Sequence, residues 1–289
     1  MKKLLLSCFV SCLSFSVAYA DEETLPPQTS LKPCIATIST SHIEGRGIGY
    51  TKGYTTLEGL IFPFTSQKTV FPFLDLRGHV FNNGESAANA GIGLRIAPST
   101  IDVLFGANVY YDYRFIRSGA SFNQMGCGVE LLGNRLDFRL NGYIPINTHK
   151  TLHTDLYDDY TDGYYILHKK YGSSMRGGNA ELGCSFIKSK IVDLYSAIGP
   201  YYFTDHFLRN RHAFGGQFRL ALTLAKYLSL EGLVTRDSLF KTRAQAQATL
   251  SLPIGCKKEQ TNKDKRLSQP IKRYEIIVLD NVNQWKWNY

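Results

Sequence analysis

The sequence lacks the long apolar runs that helical membrane proteins need. Beyond residue 20, no segment approaches the ~18 uninterrupted apolar residues of a spanning helix. Only 3 residues are methionine, and no long stretch rich in Ala, Glu, Lys and Leu repeats with a helical period. These absences exclude helical membrane spanning of the mature chain and argue against a mainly helical fold.

Cysteine is sparse and unclustered. Two of the 6 cysteines lie in the first 20 residues, and Cys34, Cys127, Cys184 and Cys256 form no C-x-x-C pair, which disfavours metal and redox chemistry. An oxidising export compartment permits disulfides. Cys127 and Cys184, however, fall on apolar strand faces, where a thiol acts as a small hydrophobe. We expect no catalytic thiol.

Positive charge exceeds negative charge without a nucleic-acid signature. Lys and Arg total 33 against 24 Asp and Glu, giving a net charge of +9. A basic protein can bind nucleic acid, but the sequence has no basic helix, zinc finger or aromatic RNA-binding motif. Arginines on polar strand faces and Lys-rich ends explain the balance, so we expect no nucleic-acid partner.

The first 20 residues resemble a secretory signal peptide. Met1-Lys2-Lys3 precedes a mainly apolar run, Leu4 to Val17, and Ala18-Tyr19-Ala20 provides a cleavage site after Ala20. The run is shorter than the ~20 residues of a transmembrane anchor, and a lipoprotein site at Cys12 would shorten it further. Asp21 to Lys32 is polar, and residues 21–37 are predicted to be a periplasmic lead-in.

The clearest pattern is the strict alternation of Ile101 to Arg114. One face carries residues such as Asp102, Asn108 and Asp112, and the other face is apolar. A tilted strand of ~9–11 residues crosses a bilayer. The segment is predicted to rise from the periplasm at Ile101 and to reach the outer surface near Arg114.

Similar alternation predicts an all-β protein, an antiparallel transmembrane β-barrel of about twelve strands within residues 38–255. A soluble β-sandwich gives the same periodicity with its apolar face in a dry core. Strand length, tyrosines at strand ends and export favour the membrane. The predicted strands are Ile38–Tyr50, Tyr54–Phe62, Val70–Val80, Ala88–Ile96, Ile101–Tyr113, Phe122–Leu131, Arg135–Ile146, Asn179–Phe186, Ile191–Tyr202, Phe214–Leu224, Tyr227–Thr235 and Arg243–Leu252.

Connection lengths alternate as outer-membrane barrels require, with short periplasmic turns and longer external loops. Short turns fall at Pro98-Ser99, Gly133-Asn134, Lys188-Ser189-Lys190 and Ala225-Lys226. The longer connections are Asn82–Ala87, Arg114–Ser121, Asn147–Gly178, Thr204–Arg211 and Arg236–Lys241. A chain that begins in the periplasm needs one strand before Tyr54, which is the reason for predicting Ile38–Tyr50.

The polar strand faces are predicted to line the lumen, because a charge on the lipid face costs ~2–4 kcal/mol at mid-bilayer for Arg or Lys. Mixed signs indicate ion pairs across the lumen, although lone solvated charges in a wide channel give the same pattern. The lumen-facing candidates are Asp75, Arg77, Arg95, Asp102, Asn108, Asp112, Arg114, Glu130, Arg135, Asp137, Arg139, Glu181, Arg219 and Glu231.

Three groups of residues resemble a hydrolase dyad, a phosphate-binding loop and a metal site, but each resemblance is weak. Asp205-His206 has the residues of a hydrolase dyad, but sequence neighbours on a strand point to opposite faces. Gly45-Arg46-Gly47-Ile48-Gly49 lacks the following helix of a phosphate loop. We expect no metal, cofactor or enzymatic activity. One group of residues has side chains that can bind metals, but we expect it to form a solvated external loop: His149, His153, Asp155, Asp158, Asp159 and Asp162.

Several segments between residues 53 and 145 resemble the β-domain of the inverse autotransporters, the intimin and invasin family. The resemblance is weaker up to Leu252 and returns at residues 270–279. The segments are Gly53-Tyr54-Thr55-Thr56-Leu57-Glu58, Phe73-Leu74-Asp75-Leu76-Arg77-Gly78-His79, Gly91-Ile92-Gly93-Leu94-Arg95, Gly106 to Arg114, Gly126-Cys127-Gly128-Val129-Glu130, Asn141-Gly142-Tyr143-Ile144-Pro145 and Pro270 to Leu279.

The resemblance implies a twelve-stranded barrel in the outer membrane of a Gram-negative bacterium, whose C-terminal linker threads the pore to display an adhesive passenger. Neither a peptidoglycan-binding domain nor an immunoglobulin-like passenger is evident here. The expected function is therefore a translocator, surface anchor or adhesion-related protein, and the alternative is a general pore. Expected partners are membrane lipid, the barrel-assembly machinery and an unidentified host or cell-surface ligand.

The tail, residues 256–289, has three possible positions. Its length permits it to thread the pore, since an extended residue covers ~3.3–3.6 Å and the hydrocarbon core is ~30 Å thick. It can equally plug the lumen or stay in the periplasm. Trp285, Trp287 and Tyr289 form an aromatic end that could contact a partner or the membrane interface.

Overall fold

A computed structural model describes residues 31–64, 69–146, 149–157, 165–189, 191–205, 211–224, 227–257 and 260–288. Twelve of its strands form a closed barrel. They are β1 (Ala36–Gly45), β2 (Tyr54–Ile61), β3 (Val70–Phe81), β4 (Ser86–Ile96), β5 (Leu104–Phe115), β6 (Ser121–Leu132), β7 (Leu136–Pro145), β10 (Arg176–Lys188), β11 (Val192–Asp205), β12 (Arg211–Leu224), β13 (Leu228–Asp237) and β14 (Lys241–Ile254), whereas β8 (His149–Tyr157), β9 (Tyr165–Ser174) and β15 (Leu279–Asn288) lie outside the barrel wall.

Closure of the sheet depends on the pairing of the first barrel strand with the last. β1 pairs antiparallel with β14 from Ala36↔Ile254 to Gly45↔Gln245, so neither strand is left as an open edge. The remaining neighbours follow the chain, except that β7 pairs with β10 because the β8–β9 hairpin leaves the wall. The predicted twelve-stranded antiparallel barrel is confirmed.

The two faces of the wall differ as the alternation predicts. Along β5 every second residue is buried, including Asn108 and Asp112. Residues between them, such as Val109 (47% exposed) and Tyr111 (46% exposed), lie on the outside. A sandwich would bury this apolar face, and its exposure around a closed barrel is what a lipid-facing surface requires.

We name the two ends of the barrel by their features. The disulfide end carries Cys34, Cys256 and the turns 97–103 and 133–135, and the hairpin end carries the β8–β9 hairpin and loops 46–53, 82–85 and 116–120. β1 ends at Gly45 and not at the predicted Tyr50, because the chain turns into the barrel mouth at Gly45, whose φ is 114°.

The predicted long loop Asn147–Gly178 contains regular structure. It supplies β8 and β9, which form a three-stranded sheet with β15 in the order β15-β9-β8, and its last residues already belong to β10. β15 pairs with β9 from Leu279↔Ser174 to Asn288↔Tyr165. The sequence could not indicate this pairing, since the partners lie more than 100 residues apart.

Among the described residues, one short helix interrupts the all-β pattern. Helix α1 spans Asn262–Leu267, and Thr261 begins it with a reciprocal capping box to Asp264. No helix among the described residues is both long and apolar enough to span a bilayer.

A disulfide joins the two ends of the barrel sequence. Cys34 and Cys256 are bonded across a sequence separation of 222 residues, beside the β1–β14 pairing. The sequence left this pair unassigned, because spacing alone cannot identify partners so far apart. A crosslink over so long a loop stabilises mainly by restricting the unfolded chain, typically by about 2–4 kcal/mol.

Cys34→Ser and Cys256→Ser are each expected to lower the temperature at which the folded barrel converts to its unfolded form. The conversion is measured as a band shift in gel electrophoresis after heating, and reduction of the unsubstituted protein should have the same effect. Cys127→Ser is the matched control, since Cys127 is exposed on the outer face. An unchanged conversion temperature in the serine variants and after reduction would show that the disulfide contributes nothing.

Candidate functional site: the occupied lumen

Residues 260–279, which we call the luminal segment, run through the barrel from the disulfide end to the hairpin end. Arg95, close to the disulfide end, donates to the carbonyl oxygens of Leu267 (2.5 Å) and Gln269 (2.8 Å). Near the hairpin end, Arg114 donates to the carbonyl of Ile277 (2.8 Å). The segment is extended beyond α1, so its carbonyls are available to arginines of the wall.

Apolar packing fixes the segment at the disulfide end. Leu267 and Ile271 are buried against an inward-facing cluster that includes Phe71, Phe73 and Leu104. Arg266 donates to the carbonyls of Asp102 (2.9 Å) and Leu132 (3.0 Å), and it also contacts the Asp102 carboxylate. The inner face of the barrel is therefore apolar where it receives α1 and polar farther along.

The central contact is a two-pronged ion pair between Arg273 and Asp112. The guanidinium nitrogens lie 2.7 and 2.5 Å from the two carboxylate oxygens, and both side chains are almost completely buried. Arg273 also stacks over the Tyr110 ring at 4.1 Å. Such paired geometry fixes orientation as well as distance, so it sets the position of the segment relative to β5.

A second pair joins Glu275 to Arg77 at 2.5 Å. Arg77 in turn contacts Asp75 (2.6 Å) and Glu58 (3.1 Å), and Tyr110 donates to Asp75 at 2.5 Å. One arginine thus faces three carboxylates, and Lys272 and Arg273 add positive charge nearby.

A third pair connects the segment to the opposite wall. Lys272 lies 2.7 Å from Glu231, which is also 3.0 Å from Arg219. Arg219 continues to Glu181 (3.0 Å), and Glu181 to Arg139 (3.7 Å). These wall residues of alternating charge lie on β13, β12, β10 and β7, and Lys272 of the luminal segment joins their network through Glu231.

Aromatic and backbone contacts hold the segment at the hairpin end. Tyr274 packs on Tyr143 and Phe203, and its hydroxyl donates to Gln217 at 2.5 Å. The amide of Met175 donates to the carbonyl of Val278 at 2.9 Å. The chain then continues as β15.

An ion pair lies at the start of β15. Arg211 contacts Asp280 at 3.1 Å. Burial raises the pKa of the Asp280 carboxyl above its usual value, while the charge of Arg211 opposes that rise.

The structure places most of the predicted lumen-facing residues on inner strand faces. Asp75, Arg77, Arg95, Asn108, Asp112, Arg114, Glu130, Asp137, Arg139, Glu181 and Arg219 are buried there, and Glu231 is partly buried. Asp102 and Arg135 differ from the expectation: both are exposed and precede their strands, in the turns before β5 and β7. The alternation continued past the point where the sheet hydrogen bonding ends.

Sequence analysis missed several interior partners. Glu58, His79 and Asn89 share inner faces with predicted residues, so the alternation could have identified them. His79 bridges Thr56 and Asn89, at 2.8 and 2.6 Å. The roles of Lys272, Arg273 and Glu275 had no local signal, because they depend on the path of the tail.

The weaker chemical candidates gain no support. Asp205 accepts a hydrogen bond from Ser173 at 2.8 Å, whereas His206 lies outside the described residues, as do Asp158, Asp159, Asp162 and Tyr289. His149, His153 and Asp155 belong to β8, and Trp285 and Trp287 to β15. No group of three potential metal ligands occurs among the residues that the structure describes.

Comparisons with known proteins agree with this architecture. Residues 51–182 match the family model "Inverse autotransporter, beta-domain". No curated protein sequence matches the chain significantly. A solved structure from work on in-meso crystallization of membrane proteins is similar at 13% identity and a TM-score of 0.60, covering 86% of this chain and 99% of that one. This likeness shows the fold alone.

Two other solved structures are more distant. An outer membrane channel from Pseudomonas putida F1 has 12% identity and a TM-score of 0.44, covering 80% of this chain and 100% of that one. The translocator domain of the autotransporter NalP from Neisseria meningitidis has 11% identity and a TM-score of 0.29, covering 78% and 88%. Both scores are too low to support an argument about function.

Asp112→Asn is expected to loosen the luminal segment, because removing one partner of a buried ion pair costs about 3–5 kcal/mol. Cleavage by trypsin after Lys272 and Arg273, followed by mass spectrometry on the purified barrel, should become much faster.

The double variant Asp112→Asn/Arg273→Gln leaves no unpaired charge at this site and should recover part of the protection at Lys272. Arg135→Gln is the control, since Arg135 is exposed in a turn. Equal cleavage rates at Lys272 in Asp112→Asn and the unsubstituted protein would show that the pair does not hold the segment.

Proposed function

We propose, from the match of residues 51–182 to the inverse autotransporter β-domain model and from the occupied lumen, that the protein is a non-enzymatic translocator and surface anchor. The disulfide end faces the periplasm and the hairpin end faces outward. The chain threads its own barrel and presents β15 outside. In this proposal the protein is related to the intimin and invasin proteins, and β15 is the segment displayed at the hairpin end.

One observation carries this proposal: the luminal segment is bound along its whole course and then joins the hairpin sheet. Arg95, Arg77 and Arg114 lie in successive positions from the disulfide end to the hairpin end, and each donates to a segment carbonyl. Beyond them, β15 pairs with β9 over ten residues. A periplasmic tail would make neither set of contacts.

The alternative, a general pore, requires an open lumen. Buried side chains of the luminal segment occupy the barrel interior here, among them Arg273, Ile276 and Ile277. The occupied lumen favours an anchor over a porin.

Each part of the protein has a different proposed partner. The exposed apolar belt contacts outer-membrane lipid, and insertion depends on the barrel-assembly machinery after export by a signal peptide cleaved behind Ala20. An adhesive role would fall to the sheet formed by β8, β9 and β15, which would meet a host or cell-surface ligand.

An epitope tag appended after Tyr289 tests the proposal on intact cells. The tag is expected to bind antibody without permeabilisation of the outer membrane. The same tag inserted in the turn 133–135, at the disulfide end, should bind only after permeabilisation.

A third tag in loop 116–120 controls for surface expression, because this loop lies at the hairpin end. A C-terminal tag that stays hidden while the loop tag is accessible would refute display of the tail.

A further inference from the structure

A cavity of about 260 Å³ lies at the hairpin end of the barrel, which we call the mouth cavity. Loops 46–53 and 82–85, the beginning of β14 and the beginning of β15 contribute its walls. Thr51, Lys52 and Asn281 in its lining are exposed, so the cavity opens to solvent. Small-molecule pockets commonly measure about 300–1,000 Å³, so this cavity has room for a ligand with a single ring.

The walls of the mouth cavity are fixed by contacts with the barrel interior. Arg114 donates to the carbonyl of Gly49 at 3.1 Å, and Ile48 is buried in a cluster with Val278 of the luminal segment. These contacts hold loop 46–53 in place. The cavity is therefore preformed, and a ligand would bind without the cost of ordering the loop.

One positive charge in the cavity lacks a partner. Arg114 pairs with Glu85 at 3.2 Å, and Asp280 pairs with Arg211 at 3.1 Å. The side chain of Arg243, which is half-buried on the inner face of β14, makes no hydrogen bond or ion pair with any residue that the structure describes. Because a charge removed from water is stable only when it is paired, Arg243 is a site for one negative charge.

Three buried atoms in the lining also lack hydrogen-bond partners among the described residues. They are Nε of Arg114, Nε of Arg243 and Oδ2 of Asp280. Buried polar atoms normally have a partner from the protein, from water or from a ligand. Two donors and one acceptor around one cavity favour a ligand that has both an anionic group and hydroxyl groups.

Aromatic rings narrow the class of ligand further. Tyr50, Phe81 and Phe240 line the same cavity, so it combines apolar ring surface with charged groups. A sugar ring has matching features, since its C–H groups are apolar and its hydroxyls are polar. A dianion such as phosphate suits the cavity less well, because Glu85 and Asp280 would repel its second negative charge.

We infer that the mouth cavity binds one carboxylated sugar residue, with the carboxylate paired to Arg243 and a hydroxyl group donating to Asp280. Uronic acids and sialic acids both have this chemistry. Access from outside the cell rests on the proposed orientation, in which the hairpin end faces outward. Binding by the purified barrel does not depend on that orientation.

Isothermal titration calorimetry on purified full-length protein in detergent tests the inference. The probes are glucuronate, N-acetylneuraminate, glucose and inorganic phosphate. At least one of the two carboxylated sugars is expected to bind at least tenfold more tightly than glucose, which lacks the anion, and than phosphate. The tighter of the two identifies the class of sugar acid.

Substitutions of Arg243 test the assigned contact. Arg243→Gln is expected to weaken binding of the preferred sugar by about tenfold or more, as loss of a hydrogen bond to a charged group does. Arg243→Lys keeps the charge and should retain part of the affinity. Arg236→Gln is the matched control, because Arg236 lies near the same end of the barrel but is exposed on the outer face.

The heat-induced band shift establishes that each variant is folded. Absence of binding of both sugar acids at millimolar concentration, equal affinity for glucose, or unchanged affinity in folded Arg243→Gln would overturn the inference. Equal losses in Arg243→Gln and Arg236→Gln would do the same. A displayed C-terminal tag without sugar binding would refute the mouth cavity alone, whereas sugar binding with a hidden tag would refute display alone.

Discussion

Closure of β1 on β14 is the constraint on which the rest of the structure depends. In lipid, no water is available to bind exposed strand edges, so the backbone groups must be satisfied within the sheet. The β1–β14 pairing meets this requirement and leaves the apolar faces outward. The closed sheet also encloses a space of fixed width, and the polar side chains on the inner faces of its twelve strands need hydrogen-bond or ion-pair partners inside that space.

The luminal segment supplies some of the partners that the inward polar side chains need. Buried charges are stable only when they are paired, and wall residues such as Asp112 and Glu231 obtain a partner from residues 272 and 273. The tail is consequently part of the barrel's electrostatic interior, and the wall alone would leave these carboxylates with less compensation. The segment contacts mainly β3 to β7, whose inner side chains are buried, whereas the inner side chains of β14 are partly exposed.

Local pattern predicted the wall well, because alternation along a strand is a property of neighbouring residues. Each predicted strand corresponds to a barrel strand, and Asn108 and Asp112 lie on the expected face. The failures have one origin. Asp102 and Arg135 continue the alternation into turns, whereas β15, the Cys34–Cys256 bond and the Arg273–Asp112 pair join residues far apart in sequence. A single sequence carries no local signal for such contacts.

The disulfide also determines how the molecule would bear a mechanical load. A pull on the end of β15 would pass along the luminal segment, through its ion pairs in turn, to Cys256. From there the bond to Cys34 divides the tension between β14 and β1. Each of these strands is hydrogen-bonded on both sides. An anchor of this kind distributes the load over two strands of the wall, where an unlinked chain end would load only one.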